Sequence, residues 1–214
     1  MKLTIVYDNT TTDSNLIAHW GFSCFIKYKG KNILFDTGGN GRFLIHNLKH
    51  LNISPESMDH IVVSHPHFDH IGGLSEVLNE NKGNAKLHLP MNFRGVKFDN
   101  EIFYYDSPAE IEKGIYVSGE IDNIEQALAI KTRKGLAMIV GCSHPGIKPF
   151  IDTLNRFGNI HTIIGGFHNF NDFEMLKDLT KICPTHCTKN ADEIIKRFPE
   201  KIIKGGVGRI FEVI

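Results

Sequence analysis

The sequence lacks the features of a secreted or membrane protein. Its four cysteines, Cys24, Cys142, Cys183 and Cys187, do not have the spacing of a disulfide framework. No apolar run approaches the roughly 20 residues that a membrane-spanning helix requires. The apolar run that follows Met1 is also too short for a signal peptide. We therefore expect a cytoplasmic protein.

The chain also lacks an excess of charge of either sign. It has 24 basic and 24 acidic side chains, so its formal net charge is zero. This balance argues against general binding to nucleic acids or membrane surfaces. The sequence has no repeats, low-complexity tracts or Pro- and Ser-rich linkers, and 214 residues suit one domain. We expect a single domain over residues 1–214 that binds a small molecule; the sequence leaves the oligomeric state open.

Histidine, by contrast, is abundant, with twelve residues in the chain. The densest group lies in segment 64–73, where His65, His67, Asp69 and His70 fall within six residues. A β-branched apolar run precedes this segment and apolar residues at helical spacing follow it, which predicts a strand-to-helix turn. The two histidines at alternate positions of extended backbone point the same way and can bind one ion. The carboxylate and histidine beyond the bend can face a second ion, so the segment indicates a metal site.

His65-x-His67-x-Asp69-His70 followed by two glycines resembles the signature of the metallo-β-lactamase superfamily. Segments 34–38, 141–144, 165–168 and 184–187 resemble the other motifs of that family. Together with segments 7–10, 43–47 and 117–121, they make the chain similar to one branch in particular. Members of this branch are often labelled 7,8-dihydropterin-6-yl-methyl-4-(β-D-ribofuranosyl)aminobenzene 5′-phosphate synthase. The resemblance covers essentially the whole chain.

The order of the predicted elements gives two strand-rich halves, each with helices. This order and the resemblance imply an α/β protein with the four-layer αβ/βα sandwich of the metallo-β-lactamase fold, with two mixed sheets and helices outside. Residues 172–182 are predicted to be helical, and His88 is interpreted as a partly exposed strand residue. The aromatic-rich segment 90–126 is either a set of edge strands or the wall of a substrate pocket.

The resemblance implies two divalent metal ions, with zinc expected and manganese or iron as alternatives. One ion is expected at His65, His67 and His144, and the other at Asp69, His70 and His186. Asp36 is expected to brace the His-rich turn from behind, a role compatible with capping the next helix. Two ions about 3.5–4 Å apart can lower the pKa of a shared water toward about 7, so that hydroxide attacks a carbonyl carbon or phosphorus.

The chain departs from the superfamily at the fourth motif, where an aspartate usually bridges both ions. The nearest equivalent here is His168, whose ring cannot bridge two ions as a carboxylate does. Three interpretations stay open: His168 binds one ion, it acts as a general acid on the substrate, or it lies in a packed turn without a chemical role. Cys183 and Cys187 are interpreted as buried neighbours of His186.

These features predict a dinuclear-metal-dependent hydrolase, or a related transferase, that acts on a phosphorylated small molecule. Asp69 is expected both to bind metal and to orient the nucleophile. Lys189, at the start of a predicted helix, and Arg94 are candidates for contact with an anionic substrate group. One alternative is the reaction of the branch label, in which a dihydropterin is joined to a ribosyl-aminobenzene phosphate. Another is a non-catalytic ligand sensor that retains its metals for structure.

Overall fold

The computed structural model describes residues 1–95 and 97–214, and the element counts refer to these residues. The thirteen strands are β1 (Lys2–Tyr7), β2 (Ser23–Tyr28), β3 (Lys31–Phe35), β4 (His60–Val62), β5 (Lys86–Pro90), β6 (Ile102–Tyr105), β7 (Ala109–Glu112), β8 (Ile115–Val117), β9 (Leu128–Thr132), β10 (Gly135–Val140), β11 (Ile160–Gly166), β12 (Lys181–Thr185) and β13 (Ile210–Glu212). The α-helices are α1 (Gly41–His50), α2 (Phe68–Ile71), α3 (Leu74–Asn81), α4 (Ile147–Leu154) and α5 (Ala191–Arg197). Three 3₁₀ helices span Pro55–Ser57, Phe173–Leu176 and Pro199–Lys201. All of these helices are too short or too polar to span a lipid bilayer.

The strands form two mixed sheets within the described residues. The first has the order β13-β1-β2-β3-β4-β5-β6, antiparallel as far as β3 and parallel from β3 to β6. The second has the order β12-β11-β10-β9-β8-β7, parallel from β12 to β10 and antiparallel beyond. Parallel neighbours end at the same edge of a sheet, so the loops that follow them can share one site.

Three apolar clusters separate the layers. In the first cluster, Ile5 and Phe35 of one sheet pack with Ile139 and Ile164 of the other. A second cluster joins the first sheet to α1 and α3, and a third joins the second sheet to α4 and α5. Helices therefore cover the outer face of each sheet, and the predicted four-layer α/β sandwich is confirmed.

The structure corrects one predicted helix and shows the secondary structure of the aromatic-rich segment 90–126. The helix predicted over 172–182 is wrong, because only Phe173–Leu176 form a 3₁₀ turn before β12 begins. Ile182 and Cys183 are fully buried and pair in parallel with β11, so the partner strand decides their conformation. Residue 96 of segment 90–126 lies outside the described residues; the rest of the segment contributes the edge strands β6 and β7 and the inner strand β8.

His88 is also placed differently from the prediction. The side chain is 1% exposed and lies 2.9 Å from His60 Nδ1 through Nε2 and 2.9 Å from the Tyr105 hydroxyl through Nδ1. Burial lowers the pKa of His88 to about 3 and also lowers the pKa of His60. The prediction failed because alternation along a strand shows which residues share a face, but not which face is covered.

Candidate metal centre

The structure brings metal-capable side chains together in two adjoining groups. The first donor group comprises His65, His67 and His144. The second donor group comprises Asp69, His70, Cys142 and His186. Donor atoms within each group lie within 4.8 Å of one another, and the ring centroids of His65 and His70 are 4.3 Å apart across the groups. The six expected ligands thus meet at one place, together with a thiol that the sequence analysis did not assign.

The His-rich turn owes its shape to its local sequence. Residues 63–67 have no regular secondary structure after β4, and α2 begins only at Phe68. His67 therefore has extended backbone, with φ −74° and ψ 146°. Gly73 lets the turn lie against the preceding loop, because a Cβ there would come 2.5 Å from the Thr37 carbonyl oxygen. The turn is thus held directly over the end of β3.

Asp36 lies behind this turn and is completely buried. Its Oδ2 accepts hydrogen bonds from His70 Nδ1 and Ser64 Oγ, both at 2.7 Å. His65 Nδ1 lies 2.8 Å from the same serine hydroxyl, which accepts its proton while donating its own to Asp36. Burial raises the pKa of Asp36 to about 7. These contacts leave Nε2 of both histidines free to face the donor groups, while Asn40 rather than Asp36 caps α1.

Glu125 orients His144 as Asp36 orients His70, and the sequence analysis did not identify it. Its Oε1 accepts the backbone N–H groups of residues 141, 142 and 143 at 2.9–3.1 Å. Its Oε2 accepts His144 N at 2.9 Å and His144 Nδ1 at 3.0 Å. Burial alone would raise the pKa of Glu125, but these donors, that of His144 first, hold it at about 2. The only sequence signal was one carboxylate directly before an apolar strand.

His186 is positioned by the loop after β1. Asn9 Nδ2 donates to the His186 carbonyl oxygen at 2.8 Å, and Asn9 Oδ1 lies 3.2 Å from His186 Nδ1. Asp8 Oδ1 accepts the His186 backbone N–H at 3.1 Å. His186 has φ +48°, in the left-handed region that non-glycine residues seldom adopt. This double contact holds the strained backbone and directs His186 Nε2 toward Asp69.

The chemistry of the donors fits transition-metal ions. His186 Nε2 lies 3.1 Å from Asp69 Oδ2, and both atoms are acceptors when Asn9 takes the proton on His186 Nδ1. A cation between two such acceptors satisfies both. Burial lowers the pKa values of His65 and His70 to about 3, so both rings are in the neutral form that metals bind. Imidazole, carboxylate and thiolate together suit zinc.

Comparison with known proteins gives the family. Residues 21–92 match the model of the metallo-β-lactamase superfamily. A similar protein of Methanocaldococcus jannaschii, itself uncharacterised, is 31% identical over 87% of this chain and 90% of its own length. The chain belongs to the metallo-β-lactamase superfamily. The 7,8-dihydropterin-6-methyl-4-(β-D-ribofuranosyl)-aminobenzene-5′-phosphate synthase of the same organism is 28% identical over 98% of this chain and 95% of its own, so the predicted likeness to this branch is confirmed.

The likeness extends to a solved structure. A metal-dependent hydrolase of the β-lactamase superfamily superposes with a TM-score of 0.79, covering 100% of this chain and 99% of that chain at 24% identity. This comparison bears on the fold alone. The metallo-β-lactamase fold therefore rests on both the sheet order and the superposition.

The remaining predicted residues lie at or beyond the rim of the centre. His168 stacks at an angle beside His144, with ring centroids 5.1 Å apart, and belongs to neither donor group. Burial, followed by the charge of His144, lowers its pKa. Lys189 is exposed, and its backbone N–H donates to the His168 carbonyl oxygen at 3.0 Å. Arg94 is also exposed, and its Nε donates to the carbonyl oxygen of Met91 at 3.0 Å in the same loop.

Proposed function

We propose that this protein is a dinuclear-metal-dependent hydrolase, or a related transferase, that acts on a phosphorylated small molecule. The observation that carries this proposal is the pair of adjoining donor groups, each oriented by buried or half-buried polar partners. Asp36, Glu125 and Asn9 are those partners, and each binds the ring nitrogen or backbone that faces away from the donors. Such prearranged ligands support a centre whose metals are bound without rearrangement.

The centre is open on one side, which favours catalysis over a purely structural role. His67 is exposed, although its partners His65 and His144 are buried or half-buried. A catalytic metal site keeps a position for substrate or water, whereas a structural one is closed by protein ligands. When bound, two divalent ions supply Lewis-acid activation of water and charge stabilisation on the substrate.

Residues of the chain orient the carboxylate of the second donor group and offer a proton donor at the rim of the centre. Asp69 Oδ2 accepts the indole N–H of Trp20 at 2.9 Å, which fixes the carboxylate in the second donor group. We propose His168 as a proton donor to the leaving group, because both donor groups are complete without it and it lies at the rim. A cavity of about 360 Å³ lies there, lined among others by His144, Phe167 and His168.

A phosphorylated substrate is supported by the surroundings of this rim. Lys189 lies next to His168 and is exposed, so its ammonium can reach an anionic group of a bound molecule. The name of the similar synthase includes a phosphate ester. Trp20 is 48% exposed and Phe68 66% exposed beside the His-rich turn, so both present aromatic surface to a flat ring.

The direct test uses protein purified without chelator. We expect bound zinc, manganese or iron, and turnover of a phosphodiester that stops on metal removal and returns on metal addition. Lys189→Ala should raise KM for a phosphorylated substrate about tenfold, the effect of about one charge-assisted contact, and leave metal content unchanged. A neutral ester and a lactone serve as controls. Protein that stays metal-free after reconstitution, or equal effects of Lys189→Ala on the neutral ester, would contradict the proposal.

The reaction of the similar synthase is the second candidate, favoured by 28% identity over nearly the whole chain. It requires a dihydropterin whose 6-methyl carbon carries a leaving group, and a ribosyl-aminobenzene phosphate acceptor that displaces this group and loses a proton. Incubation of the metal-loaded protein with both compounds should yield a joined product detectable by mass. Joined product without phosphodiester turnover selects the synthase, and the reverse selects the hydrolase.

A further inference from the structure

This chain lacks the aspartate of the family's fourth motif, but its second donor group contains a thiol. We infer that Cys142 is a thiolate ligand of the ion in the second donor group, replacing the absent aspartate of the fourth motif. The inference rests on the proposed metal centre and adds a ligand to it. It also sets the chemical class of the ion, because thiolate favours zinc or cobalt over manganese and magnesium.

Cys142 is buried beside a ring nitrogen of the second donor group. Cys142 is 3% exposed, and its Sγ lies 3.1 Å from His70 Nε2. His70 Nδ1 is already bonded to Asp36 at 2.7 Å, so the lone pair of Nε2 faces the sulfur. The thiol is therefore within hydrogen-bond distance of Nε2. A divalent ion can take the place of the thiol proton, with Asp69 and His186 completing the set.

The backbone around Cys142 is held by hydrogen bonds. The Cys142 N–H is fixed by Glu125 Oε1 at 2.9 Å, so the thiol is held in place from β10. The neighbouring strand β11 ends at Gly166, whose N–H donates to the Gly141 carbonyl oxygen at 2.9 Å. A Cβ at Gly166 would come 2.5 Å from that oxygen. A side chain at this point of β11 would collide with the β10 loop, whose Cys142 Sγ lies with the donor atoms of Asp69, His70 and His186.

Cys187 offers an internal comparison. Its Sγ lies near Cys142 and 3.8 Å from the Cys142 carbonyl oxygen, and it belongs to neither donor group. Cys187 is half-buried and Cys142 is buried, and both are free thiols. Cys187→Ser is therefore a matched control, since it removes a nearby thiol without removing the inferred ligand.

The inferred ligand set makes the two metal positions unequal. The second group has four protein donors, two of them anionic, which can neutralise a divalent ion and close a tetrahedral site. The first group has three imidazole donors, which add no negative charge to a bound ion, and keeps one tetrahedral position open. We therefore expect the second ion to bind more tightly and the first to face the substrate.

The test is cobalt substitution of the full-length protein, followed by absorption spectroscopy and metal counting. Wild-type protein should bind two cobalt ions and show a sulfur-to-cobalt charge-transfer band in the near ultraviolet. Cys142→Ser should lose the band and bind the second ion at least about tenfold more weakly, the lower bound for loss of an outer partner. Cys142→Asp should regain the second ion without the band, and Cys187→Ser should retain both. Far-UV circular dichroism confirms that each variant folds.

Three results would overturn the inference. They are bound cobalt without a sulfur band, a band that survives in Cys142→Ser but disappears in Cys187→Ser, and a wild-type protein that binds no cobalt at all. Phosphodiester assays on the same samples separate this inference from the proposed function. A sulfur band without turnover upholds the ligand and rejects the hydrolase, whereas turnover without the band does the opposite.

Discussion

The two donor groups differ in how the chain builds them. The first consists of imidazoles alone, two of them two residues apart in one turn, and it reaches solvent at His67. The second combines a carboxylate and an imidazole from α2 with a thiol and an imidazole from the loops after β10 and β12. Its outer partners also come from afar, since Asn9 and His186 are 177 residues apart in sequence.

The first donor group therefore forms mainly from residues close together in the sequence, whereas the second depends on the packing of the whole fold. The spacing of the His-rich turn brings two first-group ligands together as soon as the turn forms. The second group forms only when both sheets have packed and β1 lies beside the loop after β12. Variants that act on one group and spare the other are therefore the best tests of this comparison.

The largest expected effect comes from His67→Ala, which removes one proposed ligand of the first donor group. We expect loss of one ion per chain and a fall in activity of more than about 100-fold, beyond the range for an outer partner. The fold should persist, because the side chain is exposed. Metal analysis and a steady-state assay measure the effect, with His50→Ala on α1 as a control. Full metal content in His67→Ala would contradict a ligand role for His67 and so the proposed difference between the two groups.

His168→Ala should have the next largest effect and should spare both groups. If His168 donates a proton to the leaving group, the variant keeps both ions and loses roughly 10²–10⁴-fold in rate. The loss should shrink for substrates with good leaving groups, which need no proton. A variant that loses one ion, and regains activity when metal is added, would instead make His168 a ligand.

Glu125→Gln and Asn9→Ala form a pair that separates the two groups. Glu125 supports His144 and Asn9 supports His186, so each variant should weaken only its own ion, by about 10–100-fold. Glu125→Gln should also lower the free energy of unfolding by about 1–3 kcal/mol, because an amide N–H₂ would replace one acceptor of buried N–H groups. Metal titrations and urea unfolding measure these effects, and Glu101→Gln is an exposed control. Equal weakening of both ions by either variant would show that the groups are one coupled unit.

The contrast between local and long-range contacts also explains which features could be predicted from the sequence. The two-sheet sandwich was predictable because its strands carry strong apolar runs, and the His-rich turn because its ligand types lie within six residues. The local sequence does not show what Cys142 and Glu125 contact, since their contacts depend on the packing of the β10 loop against α2 and the segment before β9. The helix predicted over 172–182 failed for the same reason, because pairing with β11 outweighs local propensity.

The smallest effect concerns histidines outside the centre and tests whether burial alone keeps a ring neutral. His60 and His88 are buried against each other, and His60 Nε2 is buried without a hydrogen-bond partner among the described residues. Burial lowers the pKa of both, to about 3 for His88, whereas each would titrate near 6.5 in the unfolded chain. The unfolded state therefore binds more protons below pH 6.5. Their contribution to stability is complete above that pH and declines as the pH falls toward 3.

Metal-free protein should accordingly lose stability on acidification, and part of that loss belongs to this pair. Between pH 8 and pH 5.5 the pair should account for about 1–3 kcal/mol of the decrease, from one or two protons taken up on unfolding. The double variant His60→Leu, His88→Leu removes both titrating groups, so its free energy of unfolding should depend less steeply on pH by that amount. Urea unfolding of both proteins at the two pH values, with chelator present, makes the measurement. Because His65 and His70 titrate equally in both proteins, their contribution cancels in the difference. An unchanged slope would mean that the pair takes up protons in the folded state, and burial alone would then not explain the neutral rings of His65 and His70 either.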